Sequence, residues 1–246
     1  MKKGDSFMND DLFNDEIIGI EIIINYLSNL KDMKEEDRFE EIGREKIVES
    51  IDHFVSDGDK DLCSLVDSLV LDLADPELCY EMAANIGWVD VKKYGQVVID
   101  SKDIENNYFF AVNIGDADVL RHGQVIIDSL DPEYNYLFAL YVENAKVSEH
   151  GKAVMRSKDV WYNYVFAHDV FGADIKGHGK VIIDSKDLYY NYTFAEEIDG
   201  CDMKGHCDVL LNSDKKDFYM NKAKEEAQYH LYPYLGIEKG KVKEKK

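Results

Sequence analysis

The residues best suited to chemistry recur at a fixed interval. His122, His150, His178 and His206 stand 28 residues apart, and Tyr94 holds the same place one interval earlier. Imidazoles ligate zinc and carry protons, so a row of them raises a metal centre first. The interval argues against it. Equivalent positions on stacked helices lie about 8–10 Å apart, whereas ligands to one zinc ion converge to about 2.0–2.3 Å. A packing or capping histidine copied with its repeat is the better reading, with a pH-sensitive ladder as the functional alternative. Cys201, His206 and Cys207 supply three soft ligands close in sequence. No paired C-x-x-C accompanies them, so neither a metal nor a cofactor is expected.

Asparagine keeps the same interval at Asn107, Asn135, Asn163 and Asn191. It is a mediocre helix former, and its recurrence calls for hydrogen bonds to an adjacent repeat or to the preceding loop. A row of contacts reading a nucleic-acid strand is the functional alternative. Asp100, Asp128 and Asp184 repeat as well. Paired acids can bind a divalent ion or hydrolyse a bond, but periodic acids read as helix caps and a solvated acidic edge. No nucleophile, base and oxyanion donor break the pattern together, and no phosphate-cradling glycine loop occurs. The expectation is a protein that is not an enzyme.

These residues are positioned by five gapless blocks of 28 residues: 75–102, 103–130, 131–158, 159–186 and 187–214. Each reads as two short helices. The first opens on Asp75, Asp103, Asp131, Asp159 or Asp187, twice followed by proline, which is an N-cap signature. Tyrosine, alanine and Ile or Val then follow at i, i+3 and i+6, as in Tyr108, Ala111 and Ile114, with Phe110 widening the stripe. A glycine-containing turn, at Gly87, Gly115, Gly172 and Gly200, is expected to end the first helix in four blocks. Asp90, Asp118, Asp174 and Asp202 cap the second, with Lys146 the exception. A glycine inside the second helix (Gly95, Gly123, Gly151, Gly179) costs roughly 1 kcal/mol and implies a contact too close for a side chain.

A hairpin this short cannot bury both faces alone, so neighbours must stack. The fold class expected is all-α: an α-solenoid of five helical-hairpin repeats with helical N- and C-terminal caps. Residues 1–14 form a tail, 15–74 an N-terminal helical capping region with helices over 15–31 and 34–55, 215–237 a C-terminal cap, and 238–246 a basic tail. On these repeats the chain resembles the short two-helix solenoids of the HEAT-like and tetratricopeptide class, though its period is shorter and their signature residues are absent. Residues 75–214 also resemble helical-hairpin repeats of uncharacterised bacterial and phage-encoded proteins. That resemblance implies a fold and a binding role and transfers no functional residue.

Fifty acids against 29 bases give a net charge of −21, and the lysine-rich last nine residues leave the remainder at −24. Such a surface repels phosphate backbones and attracts basic ones. No targeting or membrane-spanning run is read, and the four cysteines form no dense framework, so a reduced, cytoplasmic protein is expected. The positions that vary between blocks collect aromatics: Tyr134, Trp161, Tyr162, Tyr189 and Tyr190. With Asp100, Asp128, Asp184 and the sign-reversing Arg156 they make the candidate partner-binding set. The function expected is docking of a basic protein. In its sharper form a nucleic-acid charge mimic blocks a nuclease or a toxin, as a phage-type inhibitor would. The alternatives are a self-associating scaffold and nucleic-acid binding through the tail lysines (Lys239, Lys241, Lys243, Lys245, Lys246).

Overall fold

A computed structural model describes residues 19–33, 38–39, 42–55 and 58–238. The tails expected over 1–14 and 238–246 lie outside them, apart from Glu238. Every described element is a helix. Ahead of the repeats come α1 (Ile20–Leu30), α2 (Arg44–Phe54) and α3 (Lys60–Leu73). The five hairpins are α4 (Pro76–Asn85) with α5 (Val91–Ser101), α6 (Ile104–Asn113) with α7 (Val119–Ser129), α8 (Pro132–Tyr141) with α9 (Val147–Ser157), α10 (Val160–Asp169) with α11 (Ile175–Ser185), and α12 (Leu188–Glu197) with α13 (Met203–Leu211). Then follow α14 (Lys216–Glu225) and the single turn α15 (Tyr232–Leu235). None is long and apolar enough to cross a membrane.

The chain forms two compact units, one ending at Val125 and one beginning at Ile126, within α7. In the first, α4 packs on its partner α5 and on α2 and α6, while α3 packs on α5 in the manner of a preceding second helix. In the second, first helix stacks on first helix (α8, α10, α12) and second on second (α9, α11, α13), with α14 and α15 against α13. Both units are built as an α-solenoid, by successive helix pairs. The helix expected over 34–55 begins only at Arg44: Gly43 before it is extended and Phe39 is left-handed, with φ of 65°.

The caps explain why the helices start where they do. Asp75, Asp103, Asp131, Asp159 and Asp187 each accept a hydrogen bond from the backbone N–H three residues on. Each such cap stabilises its helix by about 1 kcal/mol. Asp90, Asp118, Asp174 and Asp202 cap the second helices, and Lys146 provides no side-chain cap.

The glycine-containing turns expected after the first helices are present at Gly87, Gly115, Gly172 and Gly200. The residue that closes each helix is an extended Ile or Val, as at Ile114 and Val170, its N–H bonded back to a phenylalanine carbonyl. The left-handed residue comes two places later, at Asn144, Gly172 and Gly200, whereas Gly87 and Gly115 fall one position early and take no such conformation. The second helices instead end on left-handed Lys102, Leu130, Lys158 and Lys186. At each of these ends the preceding serine bridges the turn. The Ser101 hydroxyl donates to the Val98 carbonyl and accepts from the Asp103 N–H.

The buried stripe keeps the expected Phe110, Ala111 and Ile114 but takes Asn107 in place of Tyr108. Asn107, Phe110, Ala111 and Ile114 are buried, while Tyr108 is only partly so. Phe110, Phe138, Phe166 and Phe194 are among the largest fully buried side chains. Phenylalanine has no polar atom to satisfy, so it takes the centre, while Tyr108, Tyr136 and Tyr164 stand at the rim and of this row only Tyr192, in the last repeat, is fully buried, its hydroxyl on Glu226.

Candidate interaction surface

The repeated histidines and asparagines form one buried unit, copied along the chain. Asn163 Nδ2 donates to the Val154 carbonyl at 3.1 Å and to the Asp159 carbonyl at 2.7 Å. Because carbonyls only accept, the amide orientation is fixed and Asn163 Oδ1 faces His178 Nδ1 at 2.8 Å. The imidazole therefore donates from Nδ1 and carries a bare lone pair on Nε2. That Nε2 has no hydrogen-bond partner, and His122, His150 and His206 share the condition. The ring stacks on Phe166 at 4.7 Å. Both rings fill the space left by Gly151 of the preceding repeat: a Cβ there would stand 3.2 Å from Phe166 Cε1 and 3.3 Å from His178 Nε2. The close approach inferred from the helix-interior glycines is thus to rings of the next repeat. Asn107 with His122, and Asn191 with His206, repeat the arrangement.

Burial pushes the four histidines down to about 4, so they are neutral at physiological pH. In each of the four, Nδ1 is taken by asparagine, and in His122, His178 and His206 Nε2 lies against the glycine of the preceding repeat. The row has no free ligand or base to offer. Among the described residues no three His, Cys, Asp or Glu side chains come together to hold a metal. Burial also pushes Cys201 up to about 11 and Cys207 up to about 12, which keeps both thiols protonated and poorly nucleophilic.

The exposed chemistry lies on the first helices. α8, α10 and α12 contain Glu133, Asp169, Glu196 and Glu197, besides their capping aspartates, and no lysine or arginine. α4 and α6 likewise hold Glu77, Glu81 and Glu105 with no basic residue. The second helices differ: α9, α11 and α13 carry Lys152, Arg156, Lys176, Lys180 and Lys204 against Glu149, Asp184 and Asp208. Charge is thus segregated by helix layer within each hairpin.

On this acidic layer the rings gather. Trp161, 49% exposed, lies 6.0 Å from Tyr164 and 6.3 Å from Tyr190. Tyr189, 60% exposed, meets Tyr190 edge-on at 5.1 Å. Tyr162 is half-buried beside Tyr136. Tyr134 is also half-buried on α8. The candidate acids are not part of this assembly. Asp100, Asp128 and Asp184 sit exposed on the second helices α5, α7 and α11. Asp100 accepts from Gln96 and Asp184 pairs with Lys180. Arg156 is exposed on α9 with no carboxylate partner among the described residues.

The sequence reading missed the acids that face the tyrosines. Tyr136 donates to Asp169 at 2.6 Å, Tyr164 to Glu197, and Tyr192 to Glu226 at 2.6 Å. Tyr80 takes part in the same row by accepting from Asn113. The constant separation of about one repeat plus five residues was the available signal. Phe171, 99% exposed in the turn after α10, was missed as well. Comparison with protein-family models, curated proteins and solved structures finds no match.

Proposed function

We propose that this chain is an interaction protein whose first-helix layer docks a basic protein surface. One observation carries the reading: five successive first helices lack any lysine or arginine while bearing acids at their starts and along their length. A solvated surface kept acidic only for solubility has no reason to sort its charges by helix layer. Sorted charge steers a partner of opposite sign and suppresses wrong ones. The partly exposed rings supply the apolar anchors that charge alone lacks.

In a narrower form, the carboxylates stand in for a phosphate backbone and compete for a nucleic-acid-binding protein such as a nuclease or toxin. The resemblance of residues 75–214 to phage-encoded helical-hairpin repeats suits an inhibitor of that kind.

The test compares the wild-type chain with a Glu133→Lys, Asp169→Lys, Glu197→Lys variant as bait in nuclease-treated host lysate. Basic proteins retained by the wild type at about 50 mM salt, released at about 500 mM and lost from the variant are the expected result. Equal retention by both baits, or recovery of the wild-type bait alone, would contradict the reading.

A further inference from the structure

The ring-bearing face contains the same arrangement twice, one repeat apart. Between α8 and α10 the Tyr136 and Tyr162 rings lie 6.3 Å apart and tilted. Tyr136 donates to Asp169, with Glu133 near Tyr162. Between α10 and α12 the Tyr164 and Tyr190 rings lie 5.9 Å apart, again tilted, and Tyr164 donates to Glu197. Trp161 takes the place of Glu133 in this second copy, beside both of its rings. All four tyrosines are half-buried, so their ring faces are partly open.

Each copy presents π faces beside carboxylate oxygens, and the Tyr136 and Tyr164 hydroxyls are already engaged by those acids. A ligand for it must bring positive charge and hydrogen-bond donors. Guanidinium does so in one plane: it stacks on a ring, bonds a carboxylate edge-on and is weakly hydrated. An ammonium group is a compact, strongly hydrated point charge and gains less from paired rings.

We infer that these two ring pairs are arginine subsites that read an extended, arginine-bearing segment of the basic partner. The inference rests on the docking function proposed above and names what that surface selects. Adjacent helices stack about 8–10 Å apart, and an extended chain rises about 3.3 Å per residue. Arginines at every third residue therefore match the subsites.

The test uses the full chain and three fluorescein-labelled peptides of equal length and charge. They are a repeating Arg-Gly-Ser peptide, the matching Lys-Gly-Ser peptide, and one of the first composition with its arginines in a single block. Fluorescence anisotropy should give the periodic arginine peptide about tenfold higher affinity than either other peptide. Trp161→Ala with Tyr189→Ala, which strips the exposed rings packed on Tyr164 and Tyr190 at the second subsite, should lower that preference, with circular dichroism unchanged because both side chains are exposed. Equal affinity for arginine and lysine peptides, insensitive to the two substitutions, would overturn the subsites and leave a general acidic docking surface standing. Failure of all three peptides to bind would overturn the docking function as well.

Discussion

Trp161 and Asn163 lie two residues apart on α10, and the rows they belong to differ in what repetition preserves. The asparagine row is copied four times with the same partners: two backbone carbonyls, a histidine and, through it, a phenylalanine. The row at Trp161 reads Glu105, Glu133, Trp161 and Tyr189 in successive first helices. Both are polar or aromatic rows at helical spacing. Burial separates them. Inside, each buried donor and acceptor must be met by a fixed partner, so one solution recurs. Outside, water meets any side chain, and the position is free to serve a contact.

The largest effect that sharpens this contrast is that of pH. The row histidines titrate near 4 when folded against an ordinary value of 6.5. Between those values the unfolded chain binds more protons than the folded one. Their stabilisation is therefore complete above pH 6.5 and lost as pH falls toward 4. At about pH 5 each ring forfeits about 2 kcal/mol. Urea unfolding midpoints should drop steeply from pH 7 to pH 5, and a flat profile would show that the rings are not held neutral.

Next in size is Asn163→Ala. It strands the buried Nδ1–H of His178 and removes two bonds to backbone carbonyls. The expected loss is about 3 kcal/mol, read from urea unfolding. Trp161→Ala, two residues away, should change stability by less than about 0.5 kcal/mol. Comparable losses for the two would erase the distinction between the rows. The smallest effect is expected at the left-handed ends of the second helices. Lys158→Gly relieves a φ of 60° and should raise stability by a few tenths to about 1 kcal/mol. A clear loss would mean that the lysine side chain holds the turn.

Much of the fold was legible because it is written locally. An aspartate three residues before the N–H it caps can be read from a sequence, and so can an interval repeated without a gap. The exchange of Tyr108 for Asn107 in the stripe was not. Tyr108, Ala111 and Ile114 share helical spacing, but so do Asn107, Phe110, Ala111 and Ile114, and the second set wins. It seats the ring without a polar atom and lets asparagine reach the end of the preceding helix. The bond between Asn163 and His178 spans fifteen residues and two helices, beyond any local rule. On the surface, Trp161 and Tyr189 stood out by interrupting the pattern. The acids that hold the tyrosines did not, because each belongs to the far end of the next first helix.

The most direct test of the account measures two quantities on two variants: urea unfolding, and affinity for the periodic arginine peptide below the unfolding transition. Asn163→Ala should lose stability and keep its affinity, while Trp161→Ala with Tyr189→Ala should keep stability and lose affinity. The opposite crossing, or both variants losing both, would contradict the assignment of the interior row to the fold and the outer row to the partner.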